Sequence, residues 1–182
     1  LLRTKERDRP NITQFKTALA DGGARPNQFQ LNIPFPGETK DGNPSQTELL
    51  LVSGAALPAS TVNPVITQYR GREVKFAGER IFDPWTITVI NDNKFSLRQR
   101  FESWMDIING KDDNEGLLAW AEYQTDITVE HLDRNNAVLP GGKYILEQAF
   151  PINMSEIALQ YAQNDIIEEF TVTFQYQTYQ AI

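Results

Sequence analysis

Few side chains in this 182-residue sequence have the types and spacing that catalysis requires. Cysteine is absent, which excludes disulfides, thiolate metal sites and cysteine nucleophiles together. His131 is the only histidine, and its place at a strand end near a loop favours an exposed side chain without a catalytic role. The glycine-rich, nucleophile-elbow and zinc-binding motifs of common enzymes do not occur in the sequence. We therefore do not expect an enzyme.

Two groups of acidic residues have the composition to bind a cation or share a proton. Residues 112–116 (DDNEG) resemble a calcium loop, but the glycine comes one position early and no glutamate follows at the twelfth position. Glu168 and Glu169 are adjacent on a predicted strand, so they point to opposite faces and form no carboxylate pair. The sequence therefore predicts no catalytic residue, no metal and no cofactor.

Charge is distributed unevenly along the chain, whose net charge is −7. Residues 1–25 carry six basic residues against three acidic ones, residues 26–111 carry nine of each, and residues 112–182 carry two against twelve. Either the acidic part is a solubilising surface, or it is a surface that repels polyanions. An acidic chain neutralises few phosphates, so general nucleic-acid binding is not expected.

Hydrophobic periodicity predicts a mainly β domain, a sandwich or barrel with one packed α-helix. The helix is expected over about residues 93–109, where apolar residues recur at spacings of four, three and four. Alternation predicts a hairpin over residues 64–78 and a regular last strand over residues 169–177. The expected core residues are Phe29, Leu31, Phe82, Trp85, Leu97, Phe101, Trp104, Ile108, Phe170, Val172 and Phe174.

Three further segments complete the predicted β domain. Glu48 to Val52 are expected to form a short apolar strand. Pro151 is expected to end the strand that precedes it, and Ile157 and Leu159 to begin another. Several strands have a polar face of threonine and glutamine, and few residues protect their edges. Copies that close these edges against one another would remove the exposed edges, which favours a homo-oligomer.

A series of short motifs gives the sequence its most specific resemblance. In order along the chain, these motifs contain Arg25, Pro26, Asn27, Phe29, Leu57, Pro58, Gly78, Arg80, Phe82, Trp85, Thr86, Asn91, Asp92, Arg98, Phe101 and Trp104. On these residues the sequence resembles the tail tube proteins of contractile-tailed, myovirus-type bacteriophages. The resemblance covers about residues 24–182 and is densest over residues 71–108. It predicts a β domain over residues 24–182, preceded by an N-terminal arm and short helix over residues 1–23.

This resemblance implies an architecture and a set of partners. Members of the family form hexameric rings in which strands from six copies close one continuous inner β-barrel. The rings stack into a tube inside the tail sheath and around the tape measure protein, and the tube meets the baseplate and the tail terminator. Genomic DNA passes through without specific binding. The implied location is the virion tail, assembled in the host cytoplasm, with no integral membrane segment.

A DNA conduit must not bind DNA, so we expect its wall to be polar and nearly free of positive charge. The alternative for the residues chosen on this ground is that they face outer solvent or a neighbouring copy. The residues expected to face the lumen are Glu169, Thr171, Thr173, Gln175 and Gln177 of the last strand, with Glu73 and Lys75 of the hairpin as further candidates.

Other functions remain open at this point. The closest are a tube-like baseplate protein and the tube of a secretion or extracellular contractile injection system. A carbohydrate-binding β-sandwich belongs to a different class, and it requires exposed aromatic platforms. Trp85 and Trp104 instead fit core periodicity.

Overall fold

A computed structural model describes residues 11–20, 22–37, 39 and 42–182. The first ten residues of the expected N-terminal arm lie outside this range. The expected short helix is α1 (Ile12–Ala18). It begins with a capping box, in which the side chains of Asn11 and Gln14 each accept the other's backbone N–H. Its apolar residues Ile12 and Phe15 are exposed.

Twelve further elements follow α1 within the described residues. The helices are α2 (Gln46–Leu49), α3 (Ser96–Ile108) and α4 (Trp120–Tyr123). The strands are β1 (Phe29–Asn32), β2 (Val52–Ala55), β3 (Ser60–Tyr69), β4 (Arg72–Phe82), β5 (Trp85–Ile90), β6 (Thr125–Leu132), β7 (Val138–Met154), β8 (Glu169–Gln175) and β9 (Thr178–Ala181). The chain is therefore mainly β, as the sequence predicts.

Seven strands form one antiparallel sheet with the order β1-β6-β7-β8-β5-β2, and β9 lies beside β7. Strands β1 and β2 are the two ends of this order, so the sheet is open within the described residues. The remaining strands, β3 and β4, pair only with each other. They continue the pair β2–β5 as a long hairpin, because β3 follows β2 and β4 leads into β5.

Strand β7 changes partners along its 17 residues. Its first part pairs with β6 and β9, and residues 150–154 pair with β8. At the change, Gln148 has a φ of 54° and donates its backbone N–H to Oδ1 of Asp126 at 2.9 Å. An irregularity of this kind bends a strand and leaves it continuous. Pro151 therefore lies inside β7, and the prediction that it ends the strand is wrong.

The core lies between the apolar face of the sheet and α3. Trp104 and Phe101 of α3 are fully buried, and their rings contact Phe174 of β8 and Phe35. Among the expected core residues, Phe29, Phe82 and Ile108 are partly buried against this cluster. The others are buried: Leu31, Trp85, Leu97, Phe101, Trp104, Phe170, Val172 and Phe174.

Three segments differ from the sequence predictions. Residues 46–49 form helix α2, and the strand follows it at Val52–Ala55. Ser45 and Glu48 form a capping box that stabilises this helix start. Residues 155–168, where a strand was expected from Ile157, connect β7 to β8 without a strand. The hairpin turns at Arg70-Gly71 as expected, but it extends from Ser60 to Phe82.

Candidate functional site

One face of the sheet, across β2, β5 and β8, carries small polar side chains; we call it the polar face. Thr173 pairs with Thr86 across the strands, and their hydroxyls lie 3.0 Å apart. Thr171 lies opposite Thr88 in the same register. The hydroxyl of Ser53 on β2 donates to the carbonyl of Thr88 at 3.5 Å, so this face combines one hydroxyl–hydroxyl bond with one bond to the backbone of the neighbouring strand.

The polar face carries almost no charge. Glu169 is the only charged residue in β2, β5 and β8, and its Oε1 lies 3.3 Å from the hydroxyl of Ser53. Thr171, Thr173 and Gln175, also expected to face a lumen, are half-buried on this face. With lysine and arginine absent from these three strands, they offer no cationic group to pair with a phosphate.

Three other residues expected to face a lumen lie elsewhere. Gln177 is exposed between β8 and β9, and its backbone N–H donates to the carbonyl of Glu147 at 3.0 Å. Glu73 and Lys75 are exposed on β4, far along the hairpin from the polar face. The structure therefore brings four of the seven residues together.

Both edges of this part of the sheet are without a strand partner among the described residues. At one side, β2 pairs only with β5, and its outer edge is open. At the other side, residues 150–154 of β7 pair with β8 but extend beyond the end of β6. Unpaired strand edges present rows of backbone donors and acceptors to another chain. The polar face thus ends on both sides in a surface suited to strand pairing.

The hairpin of β3 and β4 is exposed along most of its length. Cross-strand partners lie on the same face, so Val65 with Phe76 and Tyr69 with Arg72 mark one face, and Val74 lies between them. Phe76 is 58% exposed and Tyr69 is 63% exposed. An apolar face of this size on an isolated two-stranded ribbon requires a partner surface.

Two carboxylates fix the segments next to α3. Asp92 accepts the backbone N–H and the hydroxyl of Ser96 at 2.7 and 2.8 Å. Burial acts to raise the pKa of Asp92, but these hydrogen bonds outweigh it and lower the pKa. The backbone N–H of Ser45, 2.7 Å away, lowers the pKa of Glu48, and Arg100 at 3.1 Å acts in the same direction. Both carboxylates therefore hold neighbouring segments of the fold together, and both are ionised near neutral pH.

One titratable group lies in a different environment from the one that the sequence predicts. His131 is partly buried on β6 opposite Phe29, a correction to its expected exposure. Within the described ranges, no three His, Asp or Glu side chains are grouped so that they could hold a metal ion. In the same ranges, none of the helices has the length and apolar character to cross a membrane.

A nearly uncharged sheet face, two unpaired strand edges and an exposed apolar hairpin are typical of a structural β protein that assembles with other chains. Comparison with known proteins specifies the class further. A sequence model of the family described as phage tail tube protein matches residues 24–182. The tail tube protein gp19 of Enterobacteria phage T4 is 31% identical over 150 residues, which are 82% of this chain and 86% of that protein.

Two further comparisons cover nearly the whole chain. The tail tube protein of Serratia phage KSP90 is 27% identical over 167 residues, which are 91% of this chain and 93% of that protein. A chain in the anti-feeding prophage baseplate shares the fold, with a TM-score of 0.60 at 13% identity, covering 88% of this chain and 95% of that one. The chain belongs to the phage tail tube protein family and is a structural protein of a tail tube. The resemblance to contractile-tailed phages is confirmed.

Proposed function

We propose that six copies of this chain form a ring, and that rings stack into the inner tube of a contractile phage tail. The observation that carries this proposal is the polar face, which is nearly uncharged and ends in two unpaired strand edges. Pairing the open edge of β2 in one copy with residues 150–154 of the next would continue the sheet. Six such junctions close it into a barrel, which has no free edge.

The polar face is the proposed wall of the lumen. DNA binds a surface through phosphate contacts, and many weak contacts along a tube would sum to a strong hold. Hydroxyls and amides offer only neutral hydrogen bonds that water replaces readily. The side chains that support this role are Thr86, Thr88, Thr171, Thr173 and Gln175, together with the single carboxylate Glu169.

The remaining assignments follow from family membership. We propose that the tube surrounds the tape measure protein, lies inside the sheath, and meets the baseplate and the tail terminator, with assembly in the host cytoplasm. The chain is proposed to have no enzymatic activity. The carbohydrate-binding alternative is not retained, because the chain belongs to the phage tail tube protein family.

Electron microscopy of the purified chain tests assembly directly. We expect rings of six copies, and hollow rods built from stacked rings. The proposal is contradicted if the purified chain remains a small globule at every concentration and if phage particles also lack this chain along their tails.

A set of lysine substitutions tests the lumen wall. Phage carrying Glu169→Lys, Thr173→Lys and Gln175→Lys together should assemble full-length tails but deliver DNA poorly, because the added ammonium groups bind phosphates. A matched control places the same charge change on exposed residues of α3 and the loop after it: Gln99→Lys, Asn109→Lys and Asp112→Lys. Delivery should be normal in the control. Equal DNA delivery by both variants would show that these residues do not line the lumen.

A further inference from the structure

The loop of residues 155–168, between β7 and β8, carries apolar side chains that its own subunit leaves exposed. Leu159 is 81% exposed, Tyr161 is fully exposed, and Ile166 and Ile167 are also exposed. These side chains line a groove of about 690 Å³, which we call the loop groove. Contiguous exposed apolar surface of this kind marks a site of contact with another chain.

Both ends of this loop are held by the rest of the fold. Arg98 of α3 donates to the carbonyl of Ser155 at 3.3 Å, and its guanidinium lies over the ring of Phe170. The amide of Asn91 donates to the Glu168 carboxylate at 3.0 Å. The loop groove is therefore presented from a fixed base.

A second exposed apolar surface lies beside the open edge of β2. Leu50, which ends α2, is 80% exposed. Together with Leu49 and Val52, and with Phe29 and Leu31 of β1, it lines a groove of about 580 Å³. Because β1 and β2 are the two ends of the strand order, this groove opens next to an edge that we propose to pair with another copy.

The strand pairs place the loop and Leu50 on the same side of one level in the sheet. Met154 pairs with Val172, Val172 with Ile87, and Ile87 with Ala55, so the ends of β7 and β2 share that level. Past it, the chain after β7 enters the loop, and the chain before β2 leads back to Leu50. Since β7 and β2 run antiparallel, the two surfaces lie the same way from the proposed junction.

We infer that the 155–168 loop of one copy closes over the edge of β2 in the neighbouring copy of the same ring, with Leu50 seated in the loop groove beside Leu159 and Tyr161. When residues 150–154 pair with the neighbour's β2 at this level, the chain that follows them passes Leu50. Strand pairing satisfies backbone groups, whereas this contact removes apolar surface from water and so stabilises the junction further.

The contact joins two different surfaces of the chain. Each copy therefore gives one loop and receives one, and the series closes when the ring closes. This inference rests on the proposed ring and names the side chains that hold its junctions.

Disulfide cross-linking tests the contact without background, since the chain contains no cysteine. In the variant Leu50→Cys with Leu159→Cys, oxidation of assembled rings should link copies into a ladder that ends at six under denaturing conditions. Within one copy, β7 and β2 are three strand spacings apart, about 14 Å, which a disulfide does not bridge. Each single variant is a matched control and should remain monomeric, because its thiol faces a leucine.

The length of the ladder identifies the contact. A ladder that continues beyond six means that the loop reaches a copy in another ring, and a ladder that ends at a dimer means a two-fold contact; either result overturns the inference. Rings that form normally but do not cross-link also overturn it, while the proposed tube function stands. Failure of the unsubstituted chain to form rings or rods overturns both.

Serine substitutions provide an independent test of the same contact. Leu50→Ser and Leu159→Ser should each raise the protein concentration needed for rings about tenfold, because each removes a buried leucine from the junction. The double variant should need little more than either single one, since both changes remove one contact. Leu118→Ser is a matched control, because Leu118 is fully exposed, and it should assemble normally. Single effects below twofold, or effects that multiply in the double variant, contradict the contact.

Discussion

Replacement of Trp104 by alanine is expected to cost more stability than any other single truncation in α3. The side chain is fully buried, and its ring lies 5.0 Å from the ring of Phe35 and 6.0 Å from that of Phe174. Its indole N–H donates to the carbonyl of Tyr123 at 2.7 Å, which ties the α3–β6 connection to the helix. One side chain therefore holds the helix, the sheet and a connecting segment together.

The expected loss follows from these contacts. Truncation of a buried tryptophan to alanine costs about 3–5 kcal/mol. The Tyr123 carbonyl would also lose its donor in a partly buried position, which costs about 1–3 kcal/mol when it is not replaced by water. The loss should therefore lie at the upper end of the range, near 5 kcal/mol. Trp104→Phe keeps most of the apolar contact and loses the N–H donor, so about 1–3 kcal/mol is expected.

Urea unfolding followed by far-ultraviolet circular dichroism measures the free energy of unfolding. The measurement belongs on dilute, unassembled subunits, because association with other copies raises apparent stability. Trp120→Ala provides a matched control, since Trp120 is 58% exposed on α4. It should cost less than about 1 kcal/mol.

The comparison between the two tryptophans decides the outcome. A loss below about 1 kcal/mol for Trp104→Ala, or a loss equal to that of Trp120→Ala, would refute the packing of α3 on the sheet. If Trp104→Ala loses the expected free energy of unfolding and Trp104→Phe loses none, the packing of α3 stands and only the contribution of the hydrogen bond is wrong.

Three further predictions concern local geometry. Gly78→Ala should destabilise the hairpin, because an added Cβ would lie 2.5 Å from the carbonyl oxygen of Asn63; increased proteolysis within the hairpin, with the core intact, would show it. Asp92→Ala should lower the free energy of unfolding by about 1–2 kcal/mol, as urea unfolding measures, because α3 loses the acceptor for the N–H of Ser96. Glu48 and Asp92 have folded pKa values below their ordinary values of 4.5 and 3.8, so their stabilising effect is complete above those values and is lost as pH falls below them. Acid titration of the unfolding free energy should show this loss, and the Asp92→Ala variant should show less of it.

Local periodicity predicted the helix and the last strand well. In α3 the spacing of Leu97, Phe101 and Trp104 places all three on the buried face. In β8 the alternation of Phe170, Val172 and Phe174 gives the observed burial. These patterns depend only on neighbours along the chain, so one sequence is sufficient to read them.

The errors have local physical causes. Ser45 and Glu48 are a capping box, a signal for α2 that the apolar content of the following residues obscured. Pro151 is tolerated in β7 because residues 150–154 have a neighbouring strand, β8, on one edge only. The other edge has no strand to accept a backbone N–H, so the N–H that proline lacks breaks no hydrogen bond there. Pro64 lies next to a register shift and pairs opposite Ala77, so it continues the hairpin where a boundary was expected.

The candidate site was harder to predict than the core. Alternation placed Glu169, Thr171, Thr173 and Gln175 on one face, but it also extended the strand to Gln177, where the chain has left β8. Which edges are unpaired depends on the order of strands in the sheet, and no local pattern contains that order. Alternation placed Val74 and Phe76 on one face of the hairpin, but it could not show that this apolar face is exposed.

The uncharged side chains of the polar face also determine how this surface responds to pH. Threonine and glutamine side chains neither gain nor lose protons across the range of pH in which proteins stay folded. In the proposed tube, a wall lined by these side chains would keep the same hydrogen-bonding character as the external pH changes.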